Sequence, residues 1–499
     1  MKINHVIIQA GGLGTRMGKL TKNRPKCLIS VENKPMIFHA FDYFPECDFV
    51  IICDYKDEVL RQYLRVFANC KYRLVVTRNK GNLAGIKKAS ELIEDGSVLI
   101  MWSDLILKNV DFDCLSDDNY IGVTDKFQCS RFYENYKFVR EGQSINGVAG
   151  CFVLLNSTIL KNAEEDGSFV DWIENKIQFK KLYLNDTIDV GTIDRFRCID
   201  NNSNRCRPYN RMIFQDDVVT KIGLTPEGQK LIEREVNWYK AMEEYGFRRI
   251  PKIMEYNPLV MQKIDGDNVF CSKMSESERV DVLMNIMVSL DELHSFEFIE
   301  ADKKSMFMEY YEKTLNRLKS VADAIPFSSD KEIFINGKKR QNILFNPILL
   351  ERAVEEFLGI KHYVPIHGDC TLTNTMVSRE GEVFFIDARG YFGIHNIFGD
   401  PDYDWAKLYY SIIGNFDQFN IKNFSITIGN QAIEYKIDSN GWEQFEGILI
   451  QHIGKDRMKK IKLIHSIIWL SMASHVWEDY DSMCLAFYNG LVLFDEYNN

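Results

Sequence analysis

The first two hundred residues predict an α/β domain with a mostly parallel sheet, and the remaining three-fifths of the chain predict a separate α+β domain. Short apolar runs such as HVII (5–8), FVII (49–52) and VLIMW (98–102) alternate with helix-like segments. This alternation is the pattern of βαβ units. The polar, turn-rich segment 197–211 ends the alternation, so we predict domains at 1–205 and 206–499.

The elements of the first domain follow in chain order. After the strand HVII, helices are predicted at MIFHAFDYF and DEVLRQYLRVF on either side of the strand FVII. The strand YRLVVT and the helix AGIKKASELI lead to VLIMW. In such sheets ligands bind at the carboxyl ends of the strands, and we expect the functional residues there.

The second domain begins with a hairpin pattern, RMIFQDDVVTKIG, whose turn is predicted at Asp216 and Asp217. The helix EGQKLIEREVNWYKAMEEYG and the strand in PLVMQKIDG follow. Ser275 and Glu278 have the spacing of a capping box ahead of the apolar run VDVLMNIMVSL. From there the pattern predicts a mostly helical remainder.

Composition limits the function classes. A length of 499 residues with 45% hydrophobic and 26% charged residues is typical of a globular protein of two or more domains. The net charge of -10 argues against a general nucleic-acid coat. Twelve cysteines without a C-x-x-C pair fit neither a disulfide framework nor a zinc module, which predicts a cytoplasmic protein. The apolar runs are too short or too interrupted to predict a signal peptide or membrane insertion.

One loop carries the strongest signal in the first domain. QAGGLGTRMGKLTKNRPKCL, residues 9–28, follows a strand directly, and its glycines allow main-chain N–H groups to approach a phosphate chain closely. With G-G-x-G-T-R-M and the later P-K, it resembles the sugar-phosphate nucleotidyltransferases and the related choline-phosphate cytidylyltransferases. The resemblance implies a Rossmann-like mixed sheet. It also implies that Arg16 and Lys26 are catalytic and that the nucleotide is bound by Gly11, Gly12, Gly14 and Thr15.

Further segments resemble the same family. GNLAGIKKA, residues 81–89, resembles the segment that meets the nucleotide base, which implies nucleotide binding by Asn82 and Gly85. Asp104 follows an apolar strand where the family keeps a metal-binding aspartate, and Asp189 in DTIDVGT is a candidate second Mg²⁺ ligand. A helix cap or a turn is the alternative for each aspartate.

The family's Glu-Lys-Pro segment, whose lysine meets the acceptor phosphate in many sugar-specific members, is missing from this sequence. Arg131, Lys137 and Arg140 are candidates for that task. A solvated basic face is the alternative for all three residues. The acceptor is therefore left open.

A second motif lies in VPIHGDCTLTNTMV (364–377) and VFFIDARG (383–390). It resembles the H-G-D-x(4)-N and Ile-Asp motifs of aminoglycoside phosphotransferases and choline kinases. The resemblance implies a two-lobed kinase-like fold with a helical C-terminal lobe. It implies that Asp369 is the catalytic base and that Asn374 and Asp387 hold Mg²⁺ on the ATP phosphates, while His367 braces the loop.

Other parts of that fold occur in the required order. Lys221 on a strand and Glu235 on the next helix are predicted to form the ion pair that positions a phosphate-binding lysine, with Glu233 as the fallback partner. Gln262 and Ile264 fall in a segment that resembles the adenine-binding hinge. Asp404 matches an aspartate that has mainly a structural role in the same family. If Lys221 and Glu235 are considered without the other motifs, a surface ion pair is the alternative. The hairpin before Lys221 lacks a Gly-x-Gly-x-x-Gly loop.

The aromatic C-terminal region raises the question of the acceptor. Trp469, Trp477 and Tyr480 are candidates for a cage around a quaternary ammonium such as choline. Such a stripe is more often plain hydrophobic core. An open aromatic cage would favour choline as the acceptor. If the aromatic residues are buried instead, a sugar or polyol stays the predicted acceptor.

Together the two resemblances predict a bifunctional, Mg²⁺-dependent enzyme. One domain would phosphorylate a small sugar or polyol with ATP, and the other would transfer a nucleotidyl group to that phosphate from a second NTP, with CTP favoured and GTP or UTP as alternatives. A role in surface or capsule polysaccharide supply follows by analogy. The rival hypotheses are a choline or aminoalcohol kinase with a cytidylyltransferase, and an inactive kinase-like regulatory module. We expect a small-molecule acceptor and no nucleic-acid partner, and the sequence leaves a homo-oligomer open.

Overall fold

The computed structural model describes residues 1–78, 81–200 and 210–498. The chain divides into two units. Unit 1 comprises Met1–Asn204 and Glu478–Asp481, and unit 2 comprises Arg205–Trp477 and Ser482–Asn499. The predicted boundary near residue 205 lies outside the described residues.

Unit 1 is an α/β structure whose elements alternate as predicted. Its strands are β1 (His5–Gln9), β2 (Ser30–Val31), β3 (Lys34–Pro35), β4 (Asp48–Cys53), β5 (Tyr72–Val76), β6 (Val98–Trp102), β7 (Leu105–Ile106), β8 (Tyr120–Thr124), β9 (Phe132–Glu134), β10 (Lys137–Val139), β11 (Gly147–Leu154), β12 (Lys180–Tyr183) and β13 (Ile188–Asp189). Its helices are α1 (Met36–Tyr43), α2 (Asp57–Phe67), α3 (Asn82–Ser90), α4 (Phe169–Ile173) and α5 (Ile193–Asp200).

The main sheet of unit 1 has nine strands. Seven follow the order β10-β9-β11-β6-β1-β4-β5, and β8 pairs with both β11 and β12. Strands β6, β1, β4 and β5 run parallel, whereas β11 runs antiparallel to β6. The sheet is therefore mixed, which confirms the predicted sheet type.

The central strands explain where a ligand can bind. Val6, Ile7 and Ile8 of β1 are buried, as expected for a parallel strand covered on both faces. Strand β1 ends at Gln9 and pairs in register with Ile52 of β4 and Trp102 of β6. The carboxyl ends of the three strands thus meet at one edge of the sheet, and the glycine loop leaves from that edge.

Unit 2 mixes small, mostly antiparallel sheets with helices, and β20 and β27 form a parallel pair. Its strands are β14 (Asn210–Gln215), β15 (Val218–Gly223), β16 (Ile253–Tyr256), β17 (Leu259–Gln262), β18 (Gly266–Asn268), β19 (Ile299–Glu300), β20 (Glu332–Ile335), β21 (Lys338–Gln341), β22 (His362–Pro365), β23 (Thr375–Ser378), β24 (Val383–Phe385), β25 (Phe398–Gly399), β26 (Phe424–Ile428) and β27 (Ile433–Ile437). Its helices are α6 (Pro226–Tyr245), α7 (Glu276–Ser295), α8 (Lys303–Phe307), α9 (Lys313–Val321), α10 (Ile348–Glu355), α11 (Pro401–Ile412), α12 (Phe416–Asn420), α13 (Glu446–Ile453), α14 (Lys455–Met472) and, apart from its first two residues, α15 (Tyr480–Asn498).

The start of unit 2 agrees with the sequence patterns. Strands β14 and β15 form the predicted hairpin within the four-stranded sheet β14-β15-β17-β16. The predicted capping box is present at the start of α7, where Ser275 and Glu278 each accept a hydrogen bond from the other's backbone N–H. One π-helical turn, Met308–Glu312, joins α8 to α9.

The expectation of a mostly helical remainder was incomplete. A four-stranded sheet, β21-β20-β27-β26, lies within that part of the chain. The turn between β20 and β21 is Asn336-Gly337, with φ of 47° and 75°, which is the pattern that closes a two-residue hairpin. This dipeptide was the available sequence signal for the missed hairpin.

Within residues 1–78, 81–200 and 210–498, no helix combines the length and the apolar character that crossing a bilayer would require.

Candidate active sites

A cavity of about 410 Å³ opens at the carboxyl edge of the unit 1 sheet. It collects residues from strand ends, the glycine loop and the start of α3. Its lining consists of Gln9, Gly11, Gly12, Gly14, Thr15, Arg16, Lys26, Ile52, Asp54, Thr77, Gly81, Asn82, Trp102, Ser103, Asp104 and Gly191. Most of the residues predicted for the first site therefore share one cavity.

The glycine loop has the backbone that its sequence predicts. Gly14 has a φ of 64°, and a Cβ atom there would lie 2.7 Å from the Thr21 methyl group. A Cβ atom added at Gly12 would meet nothing within 4 Å, so this part of the loop borders open space. Only glycine fits at Gly14 without strain, and the open space at Gly12 leaves room for a ligand beside the main chain.

The two predicted catalytic cations occupy different surroundings. The Nζ atom of Lys26 lies 2.5 Å from Oδ2 of Asp104, and only 12% of the Lys26 side chain is exposed. Arg16 is exposed on the cavity rim and forms no ion pair with any described residue. Lys26 is thus held in place, whereas the Arg16 guanidinium is available to an anion.

Of the two aspartates predicted to bind metal, Asp189 is the last residue of β13, and Asp104 lies in the turn just before β7. Asp189 of β13 pairs with Leu105 of β7, the residue after Asp104. Burial raises the pKa of Asp189, and the charge of Asp104 raises it further. Two carboxylates that repel each other, each less than one-fifth exposed, are a donor set that a hard cation would stabilise. The set suits Mg²⁺, which takes one or two carboxylates and completes its shell with water and phosphate.

Sequence reasoning missed one residue at this pair. Arg195, in the first turn of α5, forms an ion pair with Asp189, and Asp189 also accepts a hydrogen bond from the Gly191 N–H at 2.5 Å. The Arg195 guanidinium donates a further hydrogen bond to the Gln128 carbonyl at 3.1 Å. Its position just after DVGT was the available signal, but only the fold shows which carboxylate it meets.

The residues predicted to meet the nucleotide base separate into two positions. Asn82 lines the cavity, its backbone carbonyl accepts a hydrogen bond from the Gln9 side chain at 3.1 Å, and its Oδ1 accepts one from the Phe169 N–H at 2.9 Å. Gly85 is not among the residues that line this described cavity. A Cβ atom at Gly85 would lie 2.5 Å from the Ile52 side chain, so this glycine lets α3 pack against β4.

The three basic candidates for the acceptor phosphate do not line the described cavity. Arg131 pairs with Asp171 at 2.7 Å, and Lys137 and Arg140 are exposed. This arrangement is that of a solvated basic face, the alternative that the sequence had left open.

In unit 2 the predicted ion pair is present. The Nζ atom of Lys221 lies 2.6 Å from Oε2 of Glu235 and 2.5 Å from Oδ1 of Asp387. Burial raises the pKa of Glu235 to about 7, although Lys221 opposes that shift. Asp387 has a φ of 58°, a conformation rarely adopted by non-glycine residues. The lysine, the helix carboxylate and the metal candidate therefore meet at one point, and the fallback partner Glu233 is exposed.

The loop that carries Asp369 is held in place by hydrogen bonds to the Asp404 side chain. This carboxylate accepts hydrogen bonds from the backbone N–H groups of His367 at 2.8 Å and of Gly368 at 2.7 Å. The Nδ1 atom of His367 accepts a bond from the Asp369 N–H, and its Nε2 donates to the Ile386 carbonyl. Burial lowers the pKa of His367, so the neutral ring braces the loop, as predicted.

The Asp369 carboxylate contacts Lys407 and Asn374. Its Oδ1 lies 2.8 Å from the Lys407 Nζ atom, and the Asn374 side-chain amide donates to its Oδ2 at 2.9 Å. The Asn374 amide also donates to the Asp369 carbonyl, which leaves the Asn374 side-chain oxygen for another partner. That oxygen and the Asp387 carboxylate are hard donors that suit Mg²⁺ on a nucleotide phosphate. Lys407 was missed, although it stands three residues after Asp404 in the segment GDPDYDWAKL, residues 399–408.

The hinge candidates lie at the end of β17. Gln262 is the last residue of this strand, and its N–H donates to the Lys252 carbonyl at 2.9 Å. Ile264 is 9% exposed, and its carbonyl accepts a hydrogen bond from the Gly266 N–H at 3.0 Å. Adenine binding by these two backbones stays a prediction.

The aromatic residues proposed as a choline cage are mostly buried. Trp469 has no exposed surface and donates a hydrogen bond to the His465 ring at 3.1 Å. Tyr480 is 1% exposed. Buried rings present no open face to a ligand, so Trp469 and Tyr480 take the core role that the sequence had left as the commoner alternative.

Behind the Asp369 loop lies a buried carboxylate, Asp417, which accepts a hydrogen bond from the Ser411 hydroxyl. The Ser411 oxygen in turn accepts one from the Leu372 N–H at 2.9 Å. Burial raises the pKa of Asp417 from 3.8 to about 6. The folded state therefore binds this proton more tightly than the unfolded state, and the stability that it contributes below the unfolded pKa is lost as the pH rises through about 6.

We expect Asp417→Asn to raise the melting temperature of unit 2 by about 4 °C near pH 8 and by much less near pH 5, where the wild-type carboxyl group keeps its proton. Differential scanning calorimetry of the full chain at both pH values measures the difference. An equal shift at the two pH values would show that Asp417 is not ionised at a cost in the folded protein.

Part of the first unit matches a known family. Residues 6–112 match the MobA-like NTP transferase domain. A stretch of 66 residues is 38% identical to glucose-1-phosphate cytidylyltransferase of Salmonella typhimurium, covering 13% of this chain and 24% of that protein. Another of 111 residues is 32% identical to 2-aminoethylphosphonate cytidylyltransferase of Lancefieldella rimae, covering 21% of this chain and 44% of that protein. The chain thus spans less than half the length of either curated relative.

Among solved structures, the CTP:phosphocholine cytidylyltransferase of Streptococcus pneumoniae aligns with 40% of this chain and 99% of its own, at 18% identity and a TM-score of 0.34. The curated relatives also include probable mannose-1-phosphate guanylyltransferase 3 of Oryza sativa subsp. japonica, 31% identical over 111 residues, which are 20% of this chain and 30% of that protein. Unit 1 therefore contains a MobA-like NTP transferase domain whose relatives include sugar-phosphate nucleotidyltransferases.

Proposed function

We propose that unit 1 transfers a nucleotidyl group from a nucleoside triphosphate to a phosphorylated sugar or alcohol and releases pyrophosphate. The observation that carries this proposal is the single cavity that joins the glycine loop to Arg16, Lys26 and Asp104. The curated relatives, which include cytidylyl- and guanylyltransferases of sugar phosphates and a cytidylyltransferase of a phosphonate, support the same reaction. CTP is the favoured donor, with GTP and UTP as alternatives.

The residues of the cavity divide the work of this reaction. A phosphate oxygen of the acceptor attacks the α-phosphorus of the triphosphate, and the bond to the departing pyrophosphate breaks. The glycine loop binds the triphosphate through its N–H groups, while Arg16 and Lys26 balance the negative charge that develops on the leaving group. Asp104 and Asp189 would hold Mg²⁺, which when bound neutralises phosphate charge and orients both reactants.

For unit 2 we propose ATP-dependent phosphorylation of a small hydroxyl compound. The contacts of Lys221 with Glu235 and Asp387, and the placement of Asp369 beside Asn374, support this reaction. Lys221 would bind ATP phosphates, Asp369 would accept the proton of the attacking hydroxyl group, and Asn374 and Asp387 would hold Mg²⁺. The product of unit 2 is then the acceptor of unit 1, and the chain would supply an activated precursor for surface polysaccharide from the cytoplasm.

The test is pyrophosphate release by the purified full chain with Mg²⁺ and ATP, measured with CTP, GTP or UTP and a panel of sugars, polyols and choline. Release that requires both ATP and an unphosphorylated acceptor is the expected result. Release only from acceptors that are already phosphorylated would overturn the kinase role of unit 2 and keep that of unit 1. No release from any phosphorylated acceptor would overturn the proposal for unit 1.

A further inference from the structure

Unit 2 gathers positive charge around one tyrosine. The ring of Tyr391 has the Arg389 guanidinium 4.0 Å from its centre and the Arg234 guanidinium at 4.2 Å, with the Lys313 ammonium at 5.7 Å. Arg317 lies one helical turn after Lys313, and burial lowers its pKa. We call Arg234, Lys313, Arg317 and Arg389 the cationic cluster.

The cationic cluster has too little negative charge for its size. Glu309, in the π-helical turn, pairs with Arg389 at 2.6 Å and also with Lys313. Arg234 and Arg317 form no ion pair with a described residue. Burial lowers the pKa of Lys313 well below its usual range, and the neighbouring Arg389 lowers it further. Three guanidinium groups and one lysine against a single carboxylate are costly in a partly buried place, and the cost would fall if an anion bound there.

The cluster adjoins the loop of the candidate catalytic base. The backbone N–H of Arg389 donates to the His367 carbonyl at 2.9 Å. A Cβ atom added at Gly368 would lie 2.9 Å from the Arg389 Cβ. Arg389 also lies 5.2 Å from the centre of the Tyr403 ring. One turn along α11 from Tyr403, Lys407 pairs with Asp369. A molecule whose hydroxyl group reaches Asp369 therefore has the cationic cluster beside it.

We propose that the cationic cluster binds a carboxylate of the acceptor, so that the substrate of unit 2 is a small hydroxy acid. This inference rests on the proposed kinase function of unit 2. Arginine binds carboxylates through paired N–H groups, and a partly desolvated site strengthens such bonds. The same charges repel choline and other cations. A carboxylate fits the proposed two-step reaction better than a phosphate does. An acceptor that already carried a phosphate group would serve unit 1 directly and would not need unit 2.

The reaction that follows is balanced. The hydroxyl oxygen of the acid forms a bond to the γ-phosphorus of ATP, the bond between that phosphorus and the bridging oxygen of ADP breaks, and the hydroxyl proton passes to Asp369. The carboxylate takes no part in bond making. It fixes the hydroxyl group next to Asp369 through the cationic cluster.

The test compares acceptors that differ only in charge. ADP formation by the full chain is measured with glucuronate against glucose, glycerate against glycerol, glycerol phosphate, and choline. We expect a hydroxy acid to exceed its neutral partner in kcat/KM by about a hundredfold. Equal or better use of a neutral polyol, of choline or of glycerol phosphate would overturn the inference while leaving the kinase function intact.

A second measurement separates the two proposals. Thermal stabilisation of the protein by the same hydroxy acids, without ATP, reports binding whether or not transfer occurs. If no acceptor supports ADP formation, the kinase function fails, and the stabilisation alone then decides whether the cluster binds carboxylates. Absence of both signals would overturn the inference as well.

Variants on one helix test the role of the cluster. Arg317→Gln is expected to raise KM for the hydroxy acid about tenfold or more with little change in kcat, and Arg317→Lys should restore most of the loss. Lys319→Gln, an exposed position on the same helix, is the matched control and should leave both constants unchanged. Equal constants for Arg317→Gln and the wild type would show that the cluster only stabilises the fold.

Discussion

Replacing Lys26 by methionine is expected to slow pyrophosphate release about a hundredfold to a thousandfold, the usual loss when one fixed donor to a developing charge is removed. Methionine keeps most of the length of the side chain and removes only the ammonium group. That group lies 2.5 Å from Asp104 in the cavity of unit 1, where both side chains are less than one-fifth exposed. Little solvent is therefore available to replace the lost charge, and the defect should appear in kcat more than in KM.

The control for Lys26→Met is Lys88→Met, which changes an exposed lysine on α3 outside the cavity lining. It should release pyrophosphate at the wild-type rate. ADP formation by unit 2 in the Lys26→Met variant serves as an internal check that the chain has folded. If Lys26→Met released pyrophosphate within about threefold of the wild type, Lys26 would only neutralise Asp104 and would have no catalytic role.

The first site could be predicted from sequence because its parts are local. A strand, a glycine loop and Lys26 fall within about twenty consecutive residues, and glycine at a positive φ leaves a clear trace in the sequence. Asp104 could be predicted for a similar reason, since it follows a buried strand. Gly85 shows where this reasoning reaches its limit. A glycine that lets a helix approach Ile52 and one that meets a nucleotide look alike in the sequence.

Two kinds of contact needed the structure. Arg195 meets Asp189 only six residues away, across a tight turn, whereas Lys407 meets Asp369 across 38 positions of sequence. The cationic cluster is the extreme case. Its members come from α6, from α9 and from the segment VFFIDARG, residues 383–390. No spacing rule links such residues, and only the packing around Tyr391 brings their charges together.

Replacing Asp369 by asparagine is expected to reduce ATP-dependent phosphorylation about a hundredfold to ten-thousandfold, the range typical of a lost general base. Asparagine keeps the shape of the side chain and can still contact Asn374, but it cannot take a proton from the acceptor hydroxyl group. ADP formation with the preferred acceptor measures the loss. Pyrophosphate release from an acceptor that is already phosphorylated should stay unchanged, because that reaction belongs to unit 1.

This substitution also leaves Lys407 without its carboxylate partner, and only 10% of the Lys407 side chain is exposed. Unfolding of unit 2 could therefore imitate a catalytic defect. The double variant Asp369→Asn with Lys407→Met removes the unpaired charge and should recover the melting temperature without recovering phosphorylation. Asp281→Asn, at an exposed position on α7, is the matched control. Phosphorylation by Asp369→Asn within about threefold of the wild type would exclude Asp369 as the base and leave the Lys407 contact as its purpose.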